Sequence, residues 1–252
     1  MNGPSIASKP MLLCLSLVAL VLGPSRASLG MGNGGPPESP TASVAACAER
    51  AVDAVQRRYR SIRDMRARFT QSTRTVALGH RPSSPALESS GSVVFAKPGK
   101  MRWAYEKPDE SLVVSDGQTL WLYDPVRREA QKLTVSGSGY MSGAAIQFLL
   151  GEGDIRGEFR IKAESCDGED AWLELLPRRP ASYEKLRIRA DPRSGELLAT
   201  TVVDLLGNVT DVTFSEIRSN LAPPAELFRF DPPPGVRVID LDAIRGVGEA
   251  TN

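Results

Sequence analysis

Short runs of alternating apolar and polar residues, which recur from Arg68 to Ile239, constrain the fold of this chain more than any other feature. Successive side chains of a β-strand point to opposite faces of a sheet, so each run predicts a strand with one apolar and one polar face. Connections rich in turn residues separate the runs, as in Lys97-Pro98-Gly99-Lys100 and Ser115-Asp116-Gly117-Gln118. Because these connections suit tight reversals, the strands should form an antiparallel meander.

The pattern predicts about eleven strands, a last extended piece and two or three helices. The strands are expected over residues 68–77, 91–96, 101–105, 111–115, 119–124, 129–135, 156–163, 171–176, 184–190, 196–204 and 208–214, and the extended piece over 236–239. Apolar residues at spacings of three and four predict an amphipathic helix over 44–62. A second helix is expected over 140–150 and a helical turn over 223–228. Without βαβ alternation, this order indicates a single α+β domain over 44–240, built on an open antiparallel sheet.

The two ends of the chain are expected to lie outside this domain. Residues 1–28 resemble a secretory signal, with Lys9 before an apolar run from Met11 to Leu22 and a small-x-small pattern at 25–27. That run of about 12 residues is shorter than the roughly 20 that span a bilayer. Residues 29–43 are rich in Gly and Pro and predict a flexible leader, 241–252 a tail, and 79–90 a surface insertion.

Charge and composition disfavour nucleic-acid binding and catalysis. Cleavage after residue 28 would remove Lys9 and Arg26 and no acid, which leaves 29 basic against 30 acidic side chains. A net charge near −1 provides no footprint for nucleic acid. The single histidine, His80, lies in the predicted insertion, and the sequence has no metal-ligand spacing of His and Cys. We therefore expect neither catalytic residues nor a metal or cofactor.

Two cysteines remain in the mature chain after Cys14 leaves with the signal. Cys47 and Cys166 would reside in a compartment that permits oxidation, so they either form a disulfide or remain two unrelated thiols. Residues 44–47 also have the form of a lipid-attachment box. No hydrophobic region directly precedes that box, which disfavours the interpretation.

The segment Gly91 to Gly117 holds the candidate binding residues. Strand alternation places Val93, Phe95 and Lys97 on one face and Met101, Trp103 and Tyr105 on one face of the next strand. Such a stripe is ordinary core if the N-terminal helix packs on it. It lines a ligand cavity if a wide curved sheet is only partly filled by short helices. The full set of candidate ligand-binding residues, which the family resemblance described next implies would contact lipid, is Val93, Phe95, Lys97, Met101, Trp103, Tyr105, Val114, Phe148 and Leu149.

The same segment resembles the central block of the outer-membrane lipoprotein carrier (LolA) family. The matching motifs, in order, are Lys97-Pro98-Gly99, Trp103, Pro108-Asp109-Glu110-Ser111, Ser115-Asp116-Gly117 and Leu120-Trp121-Leu122-Tyr123-Asp124-Pro125. Phe69-Thr70-Gln71 resembles the opening strand of the family, and Phe228-Arg229-Phe230 with Pro232-Pro233-Pro234-Gly235-Val236 resembles its closing segment. The resemblance covers about residues 44–240.

The resemblance implies an open half-barrel with helices over its concave face, whose interior receives the acyl chains of lipoproteins. It implies a monomeric periplasmic carrier of a Gram-negative bacterium, loaded by an inner-membrane ABC transporter and unloaded by an outer-membrane receptor. Lys97 stands where the family often has an arginine that bonds the lid, and lysine lacks the planar fork of a guanidinium. The alternative is a half-barrel lipid-sensing regulatory protein that binds a membrane partner.

Overall fold

The computed structural model describes residues 42–76, 86–135, 154–166 and 169–244. Helix α1 (Ala42–Ser61) comes first, and a one-turn helix α2 (Ile155–Glu158) divides the strands into two groups. The first group is β1 (Asp64–Arg74), β2 (Leu87–Ala96), β3 (Lys100–Lys107), β4 (Ser111–Asp116), β5 (Thr119–Asp124) and β6 (Glu129–Thr134). The second is β7 (Phe159–Cys166), β8 (Ala171–Pro177), β9 (Tyr183–Ala190), β10 (Leu197–Asp204), β11 (Val209–Ser219) and, after a 3-10 turn at Ala225–Phe228, β12 (Arg237–Asp240).

All twelve strands form one open sheet in the order β12-β6-β5-β4-β3-β2-β1-β11-β10-β9-β8-β7. The described pairs are antiparallel except that of β12 with β6, which is parallel. Strand β1 joins the two groups because it pairs with β2 on one side and β11 on the other. Strands β7 and β12 form the two edges, so the sheet is not closed into a barrel. The predicted open antiparallel sheet is confirmed, with twelve strands rather than eleven.

The boundaries of several strands differ from the sequence prediction, and β7 spans Phe159–Cys166 rather than 156–163 because Ile155–Glu158 form helix α2. Strand β1 begins at Asp64 rather than residue 68, and β11 continues to Ser219. Strand β2 begins at Leu87, so the last part of the predicted insertion at 79–90 is paired with β1, where Leu87 lies opposite Thr73. Polar residues such as Glu88 have low intrinsic strand propensity, and pairing with β1 overrides it. The signal over 1–28, most of the leader, the helix expected over 140–150, and His80 lie outside the described residues.

Helix α1 buries the predicted apolar stripe against the second group of strands. Ala48, Val52, Val55, Tyr59 and Ile62 are all buried. The helix backbone lies close to β7 and β8, and these side chains belong to the same core as Leu173 and Ile188. The close approach extends to the β9–β10 turn, where a Cβ on Gly195 would lie 2.2 Å from the carbonyl oxygen of Ala54. We call the face of the sheet that packs with α1 the inner face.

The opposite face, here the outer face, is crossed by the C-terminal segment 220–236. The segment starts at the first residue of β1, where the Asp64 carboxylate accepts hydrogen bonds from the backbone N–H groups of Leu221 and Ala222. It passes β3, where Arg102 donates to the Leu227 carbonyl at 3.2 Å. It ends where β12 pairs with β6, so one continuous strap holds together the outer face of the first group.

A disulfide between Cys47 and Cys166 attaches α1 to the edge strand β7, with 5.8 Å between their Cα atoms. The two residues are 119 positions apart, so the bond closes a long loop. A cross-link of this kind stabilises the fold mainly because it restricts the unfolded chain. It also keeps the helix over the β7 side of the inner face.

Replacing both cysteines with serine should lower the free energy of unfolding by about 2–4 kcal/mol, as expected for loss of a long-loop disulfide. Urea unfolding of the mature protein and the Cys47→Ser/Cys166→Ser variant measures the difference. Reduction of the unmutated protein with dithiothreitol is the matched control and should give the same shift. An unchanged midpoint in both experiments would show that the bond adds nothing to the stability of the fold.

Candidate functional site

An aromatic cluster lies on the inner face, at the centre of the sheet. Trp103 is its middle member, with ring centroids 4.8 Å from Phe69, 5.8 Å from Phe95, 6.5 Å from Tyr105 and 6.3 Å from Phe214. Most of these contacts are edge-on or tilted, which suits the charge distribution of aromatic rings. Four of the rings are buried, whereas the indole of Trp103 is only partly buried against the core. The neighbouring rings thus hold the large apolar side chain of Trp103 in place, and part of its surface remains exposed.

Strand pairing explains how the predicted residues meet. Val93 lies opposite Trp103, and Phe95 lies opposite Met101, so the alternation within this hairpin places all four on the inner face. Their strand neighbour Tyr105 lies opposite Gly91. All but Trp103 are buried. The structure therefore brings together five of the candidate residues, and their rings gain Phe69 and Phe214 from β1 and β11, which sequence analysis did not assign to the site.

Gly91 allows the rings of Phe69 and Tyr105 to approach each other across β2. It lies opposite both residues in the register, and their ring centroids are 5.1 Å apart. A Cβ at this position would lie 2.0 Å from the carbonyl oxygen of Ala104. Since no side chain fits there, the glycine sets both the strand spacing and the contact between the rings.

Buried polar groups border the cluster on the side toward the end of β1. The Tyr105 hydroxyl donates to the Gln71 side-chain oxygen at 3.1 Å, and the Gln71 amide is 3.4 Å from the Thr73 hydroxyl. Both β1 side chains are buried on the inner face. Hydrogen bonding satisfies these groups without exposing them to water. The bond also fixes the orientation of the Tyr105 ring.

Lys97 lies in the β2–β3 turn and contacts the end of α1. Its Nζ donates to the carbonyl oxygen of Tyr59, within the last turn of the helix, and its backbone N–H donates to Arg63 at 2.9 Å. A cation at this position is favoured by the carbonyl groups left free at a helix C-terminus. Burial raises the pKa of the Tyr59 phenol above its ordinary value, so its side chain stays neutral. Lys97 therefore ties the helix to the hairpin that carries Trp103.

One predicted site residue, Val114, lies on the other face of the sheet, and two more lie outside the described residues. Val114 pairs with Arg102 and is on the outer face, where it is 1% exposed. Val113, which lies opposite Trp103, is on the inner face instead. The error arose because adjacent valines make the alternation ambiguous. Phe148 and Leu149 lie outside the described residues.

A second aromatic group occupies the outer face, under the C-terminal strap. Phe230 lies 5.4 Å from the Trp121 ring and 5.0 Å from the Tyr123 ring. Phe228, 2% exposed, precedes it at the end of the 3-10 turn. In the sequence, the alternating apolar and polar residues of Phe228-Arg229-Phe230 indicate a segment that packs on one side. This pattern does not indicate which face of the sheet the strap covers.

Other kinds of site have little support within the described parts of the chain. No group of three or more His, Cys, Asp or Glu side chains there could hold a metal ion. No described helix has the length and apolar character needed to cross a membrane.

Gly91→Ala should disrupt the cluster because its methyl group would collide with the backbone of β3. We expect a loss of about 2 kcal/mol or more in the free energy of unfolding, typical of overpacking at a rigid position. Ser92→Ala, one residue away on the outer face, is the control and should stay within about 0.5 kcal/mol. Urea unfolding of both variants tests this, and equal midpoints would contradict the role assigned to Gly91.

Comparison with known sequences identifies relatives of the chain. Residues 60–231 match the family model described as outer membrane lipoprotein carrier protein LolA. An outer-membrane lipoprotein carrier protein of Dechloromonas aromatica is 35% identical over 192 residues, which cover 75% of this chain and 87% of the relative. The protein of that name from Methylibium petroleiphilum is 36% identical over 190 residues, with 75% and 89% covered.

Solved structures that resemble this chain are more distant from it in sequence. A LolA superfamily protein of Nitrosomonas europaea is 16% identical with a TM-score of 0.40, and the match covers 73% of this chain and 98% of that protein. A protein of Thermus thermophilus is 14% identical with a TM-score of 0.46, covering 77% and 98%. The family model covers the strands that build the aromatic cluster, and each of the two relatives covers 75% of the chain. The chain belongs to the outer-membrane lipoprotein carrier (LolA) family.

Proposed function

We propose that this chain is a periplasmic carrier that holds the acyl chains of lipoproteins on the inner face of its sheet. The observation that carries the proposal is the partly buried indole of Trp103, which sits amid four aromatic neighbours on the apolar face of an open sheet. Membership of the lipoprotein carrier family supports it.

The energetics of lipid transfer explain why such a surface is useful. Each methylene that leaves a membrane for water costs roughly 0.8 kcal/mol, so a lipoprotein with several acyl chains cannot cross the periplasm unaided. A carrier must offer comparable apolar area and still release its cargo. Met101, which lies opposite Phe95 in the hairpin, adds a flexible side chain of the kind that suits contact with disordered acyl chains.

Cargo moves only toward tighter binding, so the carrier must lie between a donor and a stronger acceptor. We assign these roles to an inner-membrane ABC transporter that releases lipoproteins and to an outer-membrane lipoprotein receptor, with the carrier acting as a monomer. The signal expected over 1–28 and the disulfide between Cys47 and Cys166 support a periplasmic location, because disulfides persist in oxidising compartments. The proposed function requires binding and release only, without a covalent step.

Trp103→Ala should weaken binding of a triacylated lipoprotein by at least about tenfold, because the removed indole would contact the acyl chains directly. Trp121→Ala is the matched control: this tryptophan lies on β5, on the outer face, against Phe230. It should cost similar stability and leave lipoprotein binding unchanged. Fluorescence titration with a labelled triacylated lipoprotein measures both. Equal losses of binding in the two variants would contradict the inner-face site.

Lys97→Met should release bound lipoprotein about tenfold faster while reducing loading less. The expected size corresponds to losing one hydrogen bond from a charged donor, which ties α1 to the β2–β3 turn. Lys100→Met removes a cation from the start of β3 and is the control. Stopped-flow measurement of cargo release into excess detergent micelles tests the difference. If both variants release cargo at the unmutated rate, Lys97 has no part in retaining it.

A further inference from the structure

The ends of the strands form two opposite rims of the sheet. One rim exposes more large apolar side chains than the other. The apolar rim is where β1 and β10 end and β2 and β11 begin. Eight large hydrophobic residues are exposed in the part of the chain that the structure describes, and five belong to this rim: Val76, Leu87, Val126, Leu205 and Leu206. Contiguous exposed apolar residues mark interaction surfaces more often than isolated ones do.

The most prominent residues of this rim are Leu205 and Leu206, which are 59% and 70% exposed in the β10–β11 turn. A buried carboxylate builds this turn: Asp204 accepts from the backbone N–H groups of Leu206 and Asn208, each at 2.8 Å. It also accepts from the Asn208 side-chain amide at 2.7 Å. Gly207 closes the turn with a φ of 85°, a conformation that glycine adopts without strain. The two leucines are therefore held outward by a well-bonded turn.

Val76 joins these leucines through the same turn. The Asn208 side-chain oxygen accepts from the Val76 backbone N–H at 2.9 Å, and Val76 is 57% exposed. A Cβ on Gly207 would lie 3.4 Å from a methyl group of Val76, so the two segments are in contact. We call Val76, Leu205 and Leu206 the apolar tip.

Positive charge flanks the apolar tip on one side. Asp204 lies opposite Tyr183 in the sheet, which makes the β8–β9 connection the neighbouring turn on this rim. That turn presents Arg178 and Arg179, both exposed. The Arg178 guanidinium donates to the carbonyl oxygens of Arg156 and Phe159. Because these acceptors are uncharged, they do not neutralise the positive charge of Arg178. The exposed acids of the rim include Glu88 at the start of β2, Glu184 at the start of β9, and positions 109 and 110 on the β3–β4 turn, whereas Arg178 and Arg179 are adjacent at the apex of the β8–β9 turn.

We propose that the apolar tip inserts into the interfacial layer of a lipid bilayer that carries anionic headgroups. Apolar side chains at the apex of a hairpin fit a fluid acyl layer, and arginines beside them reach the height of the phosphates. The two adjacent arginines at the apex of the neighbouring turn thus favour an anionic membrane surface over an apolar pocket on a protein. This contact goes beyond cargo binding, since it brings the carrier to a membrane surface through groups outside the aromatic cluster.

Co-sedimentation with vesicles tests the proposal. The mature protein should bind vesicles of phosphatidylcholine mixed with phosphatidylglycerol more strongly than vesicles of phosphatidylcholine alone. Leu205→Ser/Leu206→Ser should reduce binding to the mixed vesicles by at least about tenfold. Leu221→Ser is the matched control, since Leu221 is also 53% exposed but follows β11 at the opposite rim. It should bind like the unmutated protein.

Two further variants separate this contact from lipid uptake. Trp103→Ala should keep its vesicle binding, because the aromatic cluster is not the contact, whereas Arg179→Gln should weaken binding to the mixed vesicles only. The proposal is overturned if the unmutated protein ignores both vesicle types, or if the double leucine variant binds as the unmutated protein does. It is overturned equally if Leu221→Ser or Trp103→Ala loses as much binding as the leucine pair.

Discussion

The fold depends on strand β1, which pairs with β2 on one side and with β11 on the other. These two neighbours belong to distant parts of the chain, so β1 turns two groups of strands into one sheet. A slip of one residue would move Phe69 to the outer face and Arg68 to the inner face. Ion pairs of Arg68 with Glu106 and of Arg74 with Asp211 oppose such a slip. The register of β1 therefore determines whether Phe69 and Phe214 lie beside Trp103.

The packing that stabilises the fold and the surface proposed to bind acyl chains lie on different parts of the sheet. On the inner face, α1 and its disulfide cover the β7 and β8 side, where Leu173 and Ile188 are fully buried. The aromatic cluster lies nearer the middle of the sheet, where Trp103 is only partly buried. On the outer face, the C-terminal strap packs Phe230 on Trp121. The strap thus stabilises the first group of strands from the outer face.

Local alternation predicted more of the site than of its surroundings. Within the β2–β3 hairpin, sequence spacing placed Phe95 and Trp103 on the same face correctly, because a tight turn transmits the register directly. It failed at Val114, since two adjacent valines satisfy either face. Phe69 and Phe214 could not be assigned at all, because their position depends on pairing between β1 and β11. Whether Cys47 and Cys166 form a disulfide was likewise left open by the sequence, and the packing of α1 beside β7 decides it.

Native mass spectrometry of the mature protein, mixed with a triacylated lipoprotein and separately with its unacylated form, tests the central claim most directly. A carrier that uses the Trp103 surface should form a one-to-one complex with the triacylated lipoprotein and none with the unacylated form. Binding to neither form, or equal binding to both, would contradict the proposal that the inner face holds acyl chains.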